Sequence, residues 1–292
     1  MPSVSVFAPA KINLFLHLIG KRADGYHLLE SLVAFVDIGD VVSTSDSASL
    51  QLTISGPFAK ALSDTEGNSI LAAARFLATA NGRQESSVSI ELTKNLPVAS
   101  GIGGGSSDAA ATLLACQSLW HIHALPDPPA IAAGLGADVP VCLRGRPTFM
   151  SGIGETLSDI ADFPTCDVVL VNPGMALPTA NVFGAFQGSF SKPLAKAPQK
   201  GWASLGKLLE FLRHTHNDLT TSAVTLAPDI THVLSALSAQ PGCGLARMSG
   251  SGATCFGLFH NPSEARAAAE TLATTQPLWW VKAGQLLPHR PQ

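Results

Sequence analysis

Residues 97–111 run Pro97-Val-Ala-Ser-Gly101-Ile-Gly103-Gly104-Gly105-Ser106-Ser107-Asp108-Ala-Ala-Ala111. Ahead of them Val88, Ile90 and Leu92 alternate with Ser87, Ser89 and Glu91, the period of a strand with one buried face. Behind them Ala110, Leu113 and Leu114 lead toward Leu119, which predicts a helix starting around Ser106-Ser107. The glycines therefore join a strand to a helix. Lacking side chains, they let the backbone approach an anion, and a helix start offers unpaired N–H groups at the positive end of its dipole. That combination makes a phosphate cradle; an ordinary glycine-rich turn capped by Ser107 is the alternative for such a segment taken alone. No Gly-Lys-Ser/Thr follows, and Ser106 and Asp108 occupy the positions that would close a dinucleotide fingerprint. A nucleotide-phosphate site of another kind fits better.

Four further segments carry chemistry. In Pro9-Ala-Lys11-Ile-Asn13-Leu, alternation puts Lys11 and Asn13 on one face of a strand over residues 12–19 and its approach, with Ile12, Leu14, Leu16 and Leu18 on the other. Ala23-Asp-Gly-Tyr26-His27 holds the single tyrosine just after an Asp-Gly turn, suited to stacking and hydrogen bonding. In Leu135-Gly-Ala-Asp138-Val-Pro140 a lone acid stands among apolar residues, either a turn cap or a carboxylate beside a reacting hydroxyl. Met248-Ser-Gly-Ser-Gly252-Ala-Thr254 is a second glycine-rich turn. The pairs His121/His123 and His214/His216 have no nearby ligand partners in sequence and are discounted.

The 292 residues leave room for two modest domains or one large one. Hydrophobic residues make up 46% and charged residues 13%, which raises the question of a membrane. The apolar runs are interrupted by Asn13, His17 or Asp37, far short of the roughly 20 residues a spanning helix needs. Lys11 sits inside the most apolar N-terminal region, so a signal peptide is not expected and the cytoplasm is. A net charge of −3 with scattered Lys and Arg argues against nucleic acid. The five cysteines include no Cys-x-x-Cys pair and read as buried thiols.

Beyond the loop, a helix is expected from Asn68 to Asn81-Gly82, a boundary between about residues 145 and 164, and a buried strand over 167–172. An exposed loop over 188–201 precedes helices near 205–212 and 230–237, a strand near 254–259, a helix capped around Pro262-Ser263, and a last strand near 278–283. The class is mixed α and β, too irregular for a doubly wound sheet.

In order and spacing, the five motifs, with Ser249-Gly-Ser-Gly-Ala253 as the last, resemble the galactokinase, homoserine kinase, mevalonate kinase and phosphomevalonate kinase (GHMP) superfamily over about residues 6–285. The resemblance implies an α+β, two-domain fold. Its parts would be an N-terminal ATP-binding domain of the ribosomal-protein-S5-domain-2-like type over 1–155 and a C-terminal, ferredoxin-like domain on the substrate side over 156–292. It implies an ATP-dependent small-molecule kinase using Mg2+, working as a monomer or weak homodimer without nucleic acid or membrane. The Lys-x-Asn and Asp-Gly-Tyr-His motifs narrow the implied acceptor to the 2-hydroxyl of a cytidine-diphosphate methylerythritol in non-mevalonate isoprenoid synthesis. Asp138 is implied as catalytic base or hydroxyl-orienting carboxylate, and Lys11 as the cation beside it. Pro97, Val98, Ala99, Ser100, Gly101, Ile102, Gly103, Gly104, Gly105, Ser106 and Ser107 would hold the ATP phosphates, with Asn68, Lys94 and Val98 lining the adenosine site. Asn13, Tyr26, His27, Asp138 and Thr179 would contact the substrate, Phe183 stacking with Tyr26 on cytosine. The metal ligands are unassigned, Ser107 being the one suggestion. Ala99-Ser100 stand where the superfamily carries more glycine, and residues 188–201 match poorly. A kinase for mevalonate, homoserine or a sugar, and a nucleotide-binding module without turnover, are the alternatives.

Overall fold

A computed structural model describes residues 3–62, 67–83, 87–194 and 198–290. Strands β1 (Ser3–Lys21) and β2 (His27–Asp46) form a long antiparallel hairpin. The chain reverses at Asp24-Gly25, where Gly25 takes φ +93° and Arg22 N donates to Tyr26 O at 2.7 Å. β1 is longer than its alternation predicts, and a bulge between Asn13 and Phe15 shifts its faces. As a result Ile12 and Leu14 enter one core while Leu16 and Leu18 enter another, so the expected single apolar face is corrected to two. β2 gives little alternation because residues 32–36 are buried on both faces.

β2 is the centre of the N-terminal half. It pairs antiparallel with β1, with β4 (Val88–Thr93) and with β5 (Thr148–Gly152); β3 (Gln51–Ser55) runs parallel to β4, and β6 (Thr156–Asp159) pairs with β5. Helix α1 (Ser69–Ala80) starts as expected, Asn68 Oδ1 accepting from Ile70 N at 2.9 Å. Helix α2 (Gly104–Leu119) starts two residues earlier than expected, because Gly103 supplies a left-handed residue at φ +63° and the loop turns straight into the helix. Packed against β1, β2 and α1, α2 is buried nearly all round. Its alanines are what allow backbones to approach that closely. Helices α3 (Pro128–Leu135) and α4 (Val139–Arg144) follow, α4 lying against α2.

In the C-terminal half, β7 (Asp167–Asn172), β8 (Cys243–Met248), β9 (Cys255–Phe259) and β10 (Trp280–Leu287) lie in the order β10-β7-β9-β8, all antiparallel. This is the ferredoxin-like arrangement. Helices α5 (Thr179–Gly184), α6 (Leu205–Arg213), α7 (Thr220–Leu226) and α8 (Asp229–Ser238) intervene between β7 and β8, and α9 (Pro262–Thr275) precedes β10. Alternation in β7 sends Val169 and Val171 into a core with α8 and α9, and Val168 and Leu170 into a core with α6. β10 also pairs with β2 through Leu286 and Leu287, so one sheet runs through both halves. The expected division at 155/156 falls inside the β5–β6 hairpin. Residues 188–194 form neither helix nor strand, and residues 195–197 of that expected loop lie outside the described residues. No described helix is long and apolar enough to cross a membrane.

Candidate active site

Two lysines come up against neighbouring glycines of the loop, Lys11 at Gly103 and Lys94 at Gly104. Lys11, on β1, places Nζ 2.8 Å from Asp138 Oδ2 and donates to Asn13 Oδ1 at 3.1 Å. Its backbone N donates to Ile102 O at 2.9 Å, docking the loop on the strand. Asn13 in turn donates from Nδ2 to Ser31 Oγ at 2.7 Å, which holds its carbonyl toward Lys11. Asp138 precedes α4 and makes no side-chain capping bond. Its side chain is 37% exposed, against 5% for Lys11, so this ion pair has one open side.

Lys94 follows β4 and is closed in. Its Nζ donates to Asp40 Oδ2 at 2.5 Å and to Asp108 Oδ2 at 2.7 Å, all three side chains being at most 3% exposed. Asp40 Oδ1 also accepts from Asn95 N at 2.5 Å and Leu96 N at 2.9 Å, fixing the chain as it enters the loop. Asp108 Oδ1 has no hydrogen-bond partner among the described residues. Burial raises the Asp108 carboxyl; Lys94 pulls it down and Asp40 pushes it up, leaving it at about 7. Burial works against the Lys94 ammonium, but Asp108 and Asp40 outweigh it and the group is raised.

Glycine is required where these lysines arrive. A Cβ on Gly103 would stand 2.8 Å from Lys11 Cε, and one on Gly104 would stand 3.1 Å from Lys94 Nζ. The loop is also clamped from the C-terminal half. Ser249 Oγ accepts from Asn13 N at 3.1 Å and donates to Gly101 O at 2.8 Å, joining β1, the loop and the second glycine turn. Thr254 N donates to Ser100 O and Leu177 N to Ala99 O. Ala99 itself stands at φ +49°, a left-handed conformation carried by a residue with a Cβ.

These groups surround a cavity of about 840 Å³, whose wall includes Lys11, Asn13, Asn68, Lys94, Asp138, Thr179, Phe183 and the loop residues Pro97 to Gly101 and Gly103 to Ser106. The structure thus brings together most of the residues singled out in the sequence. Ile102 does not line it, being wholly buried in the core with Ile12 and Leu14. Nor does Ser107: it is neither the helix cap nor open to a metal, since it is buried and its Oγ donates to Pro9 O at 2.8 Å. Lys94 reaches the wall with its ammonium already held by two carboxylates. Tyr26 is 61% exposed, and the ring nearest Phe183 is that of His27, 5.4 Å away, with Phe186 and Phe190 beside it. Burial and the charge of Lys21 lower the His27 imidazole, keeping it neutral at neutral pH.

Sequence reasoning gave no role to Asp40 or Asp108. Asp108 lies within the quoted motif, and its signal was an acid in the first turns of an otherwise apolar helix. Asp40 had a fainter one, an acid within a long apolar strand. Among the described residues no group of three or more His, Cys, Asp or Glu could hold a metal ion.

The GHMP kinases N terminal domain pattern matches residues 68–146, and the GHMP kinases C terminal pattern residues 193–277. The 4-diphosphocytidyl-2-C-methyl-D-erythritol kinase of Cereibacter sphaeroides (strain ATCC 17029 / ATH 2.4.9) is 49% identical over 282 residues, covering 96% of this chain and 98% of its own length. The chain belongs to the 4-diphosphocytidyl-2-C-methyl-D-erythritol kinase family. The same-named protein of Paramagnetospirillum magneticum is 48% identical over 294 residues, covering 98% of this chain and all of its own. A crystal structure of 4-(cytidine 5'-diphospho)-2C-methyl-D-erythritol kinase superposes with a TM-score of 0.78 at 35% identity, over 97% of this chain and 99% of that one. For a member of this kinase family, a GHMP fold with an ATP-dependent small-molecule kinase activity follows.

Proposed function

We propose that the cavity binds ATP beside 4-diphosphocytidyl-2-C-methyl-D-erythritol and that the chain transfers the γ-phosphoryl group to the 2-hydroxyl of that acceptor. The observation that carries this reading is the Lys11–Asp138 pair, 2.8 Å apart, at the glycine loop with the carboxylate open to the cavity. Phosphoryl transfer asks mainly for positioning and for neutralising charge on a loose transition state. The N–H groups at the start of α2 and the loop backbone take the phosphates, which explains how a chain with so few charged residues handles a polyphosphate. Asp138 aligns the acceptor hydroxyl and takes its proton, while Lys11 steadies the transferring oxygens and holds the carboxylate in place.

A magnesium ion accompanying ATP would be held chiefly by phosphate oxygens and water, as is usual for this ion, with Asp138 as the open carboxylate on the wall. When bound it would neutralise charge on the phosphates. Asn13 and Thr179 contact the acceptor, the latter paired through its hydroxyl with Ser251 at 3.0 Å. Phe183, with neutral His27 against it, forms the wall for cytosine, and the exposed Tyr26 next to His27 would stack on the same base. Asn68 and Val98 line the adenosine end. The scattered Lys and Arg and the net charge of −3 favour a small-molecule kinase working in the cytoplasm as a monomer or weak homodimer, without nucleic acid or membrane.

ADP release with ATP and Mg2+ tests the assignment, the cytidylated acceptor being compared with mevalonate and homoserine. Turnover with the cytidylated acceptor alone is expected. Turnover only with mevalonate or homoserine would move the chain to another branch of the superfamily, and none with any of them would point to a module that binds without reacting.

A further inference from the structure

The Asp40–Lys94–Asp108 cluster is left over once the reaction is assigned, and its charge does not balance. Two carboxylates face one ammonium, leaving a formal surplus of one negative charge when both are ionised, on side chains at most 3% exposed. The cluster lies directly against Gly104, at the end of α2 that takes the nucleotide phosphates. An anion is therefore to bind beside an uncompensated buried anion. Desolvated like charges at such range exclude one another unless one is neutralised.

The geometry says which one gives way. Asp40 has both oxygens engaged, Oδ2 by Lys94 and Oδ1 by the Asn95 and Leu96 amides, so a proton on either would displace a donor already there. Among the described residues Asp108 has only Oδ2 engaged; Oδ1 is buried without a partner there, and its residue forms part of the cavity wall. We infer that Asp108 takes up a proton from solvent on Oδ1 when nucleotide phosphates dock on α2, so that Lys94 and Asp40 remain a neutral pair and the new O–H can donate toward the bound anion. The inference rests on the nucleotide reading of the loop.

The carboxyl is already raised to about 7 before any ligand arrives, burial being the largest cause, and Lys94 is raised and stays charged. The other elements packed on α2 offer no competing group. Lys11 of β1 is paired with Asp138. The Cys142 thiol of α4 is pushed up to about 12 by burial and stays protonated. The one charged residue of α1, Arg75, is exposed.

The test is calorimetric titration of the full chain with Mg-ADP near pH 8, in buffers of different ionisation enthalpy. The slope of observed heat against buffer enthalpy counts protons taken up. The ligand's own titration cancels when wild type is compared with Asp108→Asn, which keeps the shape and the bond to Lys94. Wild type is expected to take up between half a proton and one, and the variant close to none. The variant should also bind more tightly than wild type above pH 8, by several fold. Equal proton counts with tight binding in both would overturn the inference, as would a wild-type count near zero even if the variant failed to fold. In that case an infrared difference spectrum of wild type must show a protonated carboxyl band on nucleotide binding; its absence would be equally fatal. Failure of wild type to bind any adenine nucleotide would instead overturn the nucleotide reading, and this inference with it.

Discussion

Lys11 and Lys94 come up against neighbouring glycines of one loop, yet they are paired in opposite ways. Lys11 has one carboxylate, and that carboxylate is open to the cavity. Lys94 has two, both sealed, one of them also gripping the backbone that leads into the loop. An exposed partner can exchange its contact for a substrate hydroxyl at little desolvation cost, so the first pair suits chemistry. A sealed cluster cannot, since taking away its ammonium strands two buried carboxylates; the second cluster suits support. Proximity to the loop is shared, and solvent access separates the roles.

The largest expected effect breaks the open side. Asp138→Asn should lower kcat by roughly 10²–10⁴-fold while leaving nucleotide affinity and the urea midpoint nearly unchanged. Near-normal turnover would remove Asp138 from the chemistry. The mirror experiment on the closed side is Lys94→Met, which leaves both carboxylates without their ammonium, so the loss should appear in folding. Unfolding free energy should fall by about 3–5 kcal/mol, the usual cost of breaking a buried ion pair, as read by urea denaturation. A small stability change with a large drop in turnover would reverse the roles argued for the two lysines.

The comparison is sharpened by pH. The folded Asp108 carboxyl lies at about 7 against a reference of 3.8, so between those values the folded protein binds more protons than the unfolded one. Its contribution to stability is present in full below 3.8 and is lost as pH rises through about 7. Asp108→Asn should therefore gain on wild type in unfolding free energy from pH 4 to 7 and gain no further above it. A constant difference across that window would contradict the surplus charge. The glycine against the open pair gives a smaller effect: Gly103→Ala forces a left-handed alanine against Lys11 and should cost roughly 1–2 kcal/mol, raising KM for ATP. Smallest is Ala99→Gly, where relief at φ +49° is offset by a freer unfolded chain, giving a net change within about 1 kcal/mol. A large loss of nucleotide binding there would show that the stiffness of Ala99 matters in itself.

Much of this was written locally. The strand before the loop, the helix after it, Asn68 as a cap and the strand over residues 167–172 were all legible, because periodicity and capping act over a few residues. β2 was harder, since a strand buried on both faces loses its alternation, and the bulge in β1 left no sequence mark of its own. At the site, Lys11, Asn13, Asp138 and the loop could be named from motifs. That Ser107 turns inward to Pro9, and that His27 rather than Tyr26 lies nearest Phe183, depend on packing across the chain.

The sequence by itself determined a glycine loop at a helix start, a lysine and an amide on one strand, and a lone acid before a short helix. These are statements about neighbours in the chain, and local sterics and backbone polarity suffice for them. Only the tertiary structure decided which acid meets which lysine. Asp138 reaches Lys11 across 127 positions and Asp40 reaches Lys94 across 54, and whether water follows them in depends on what the rest of the fold stacks above. The function of a charged pair depends on that desolvation, and no residue carries it alone.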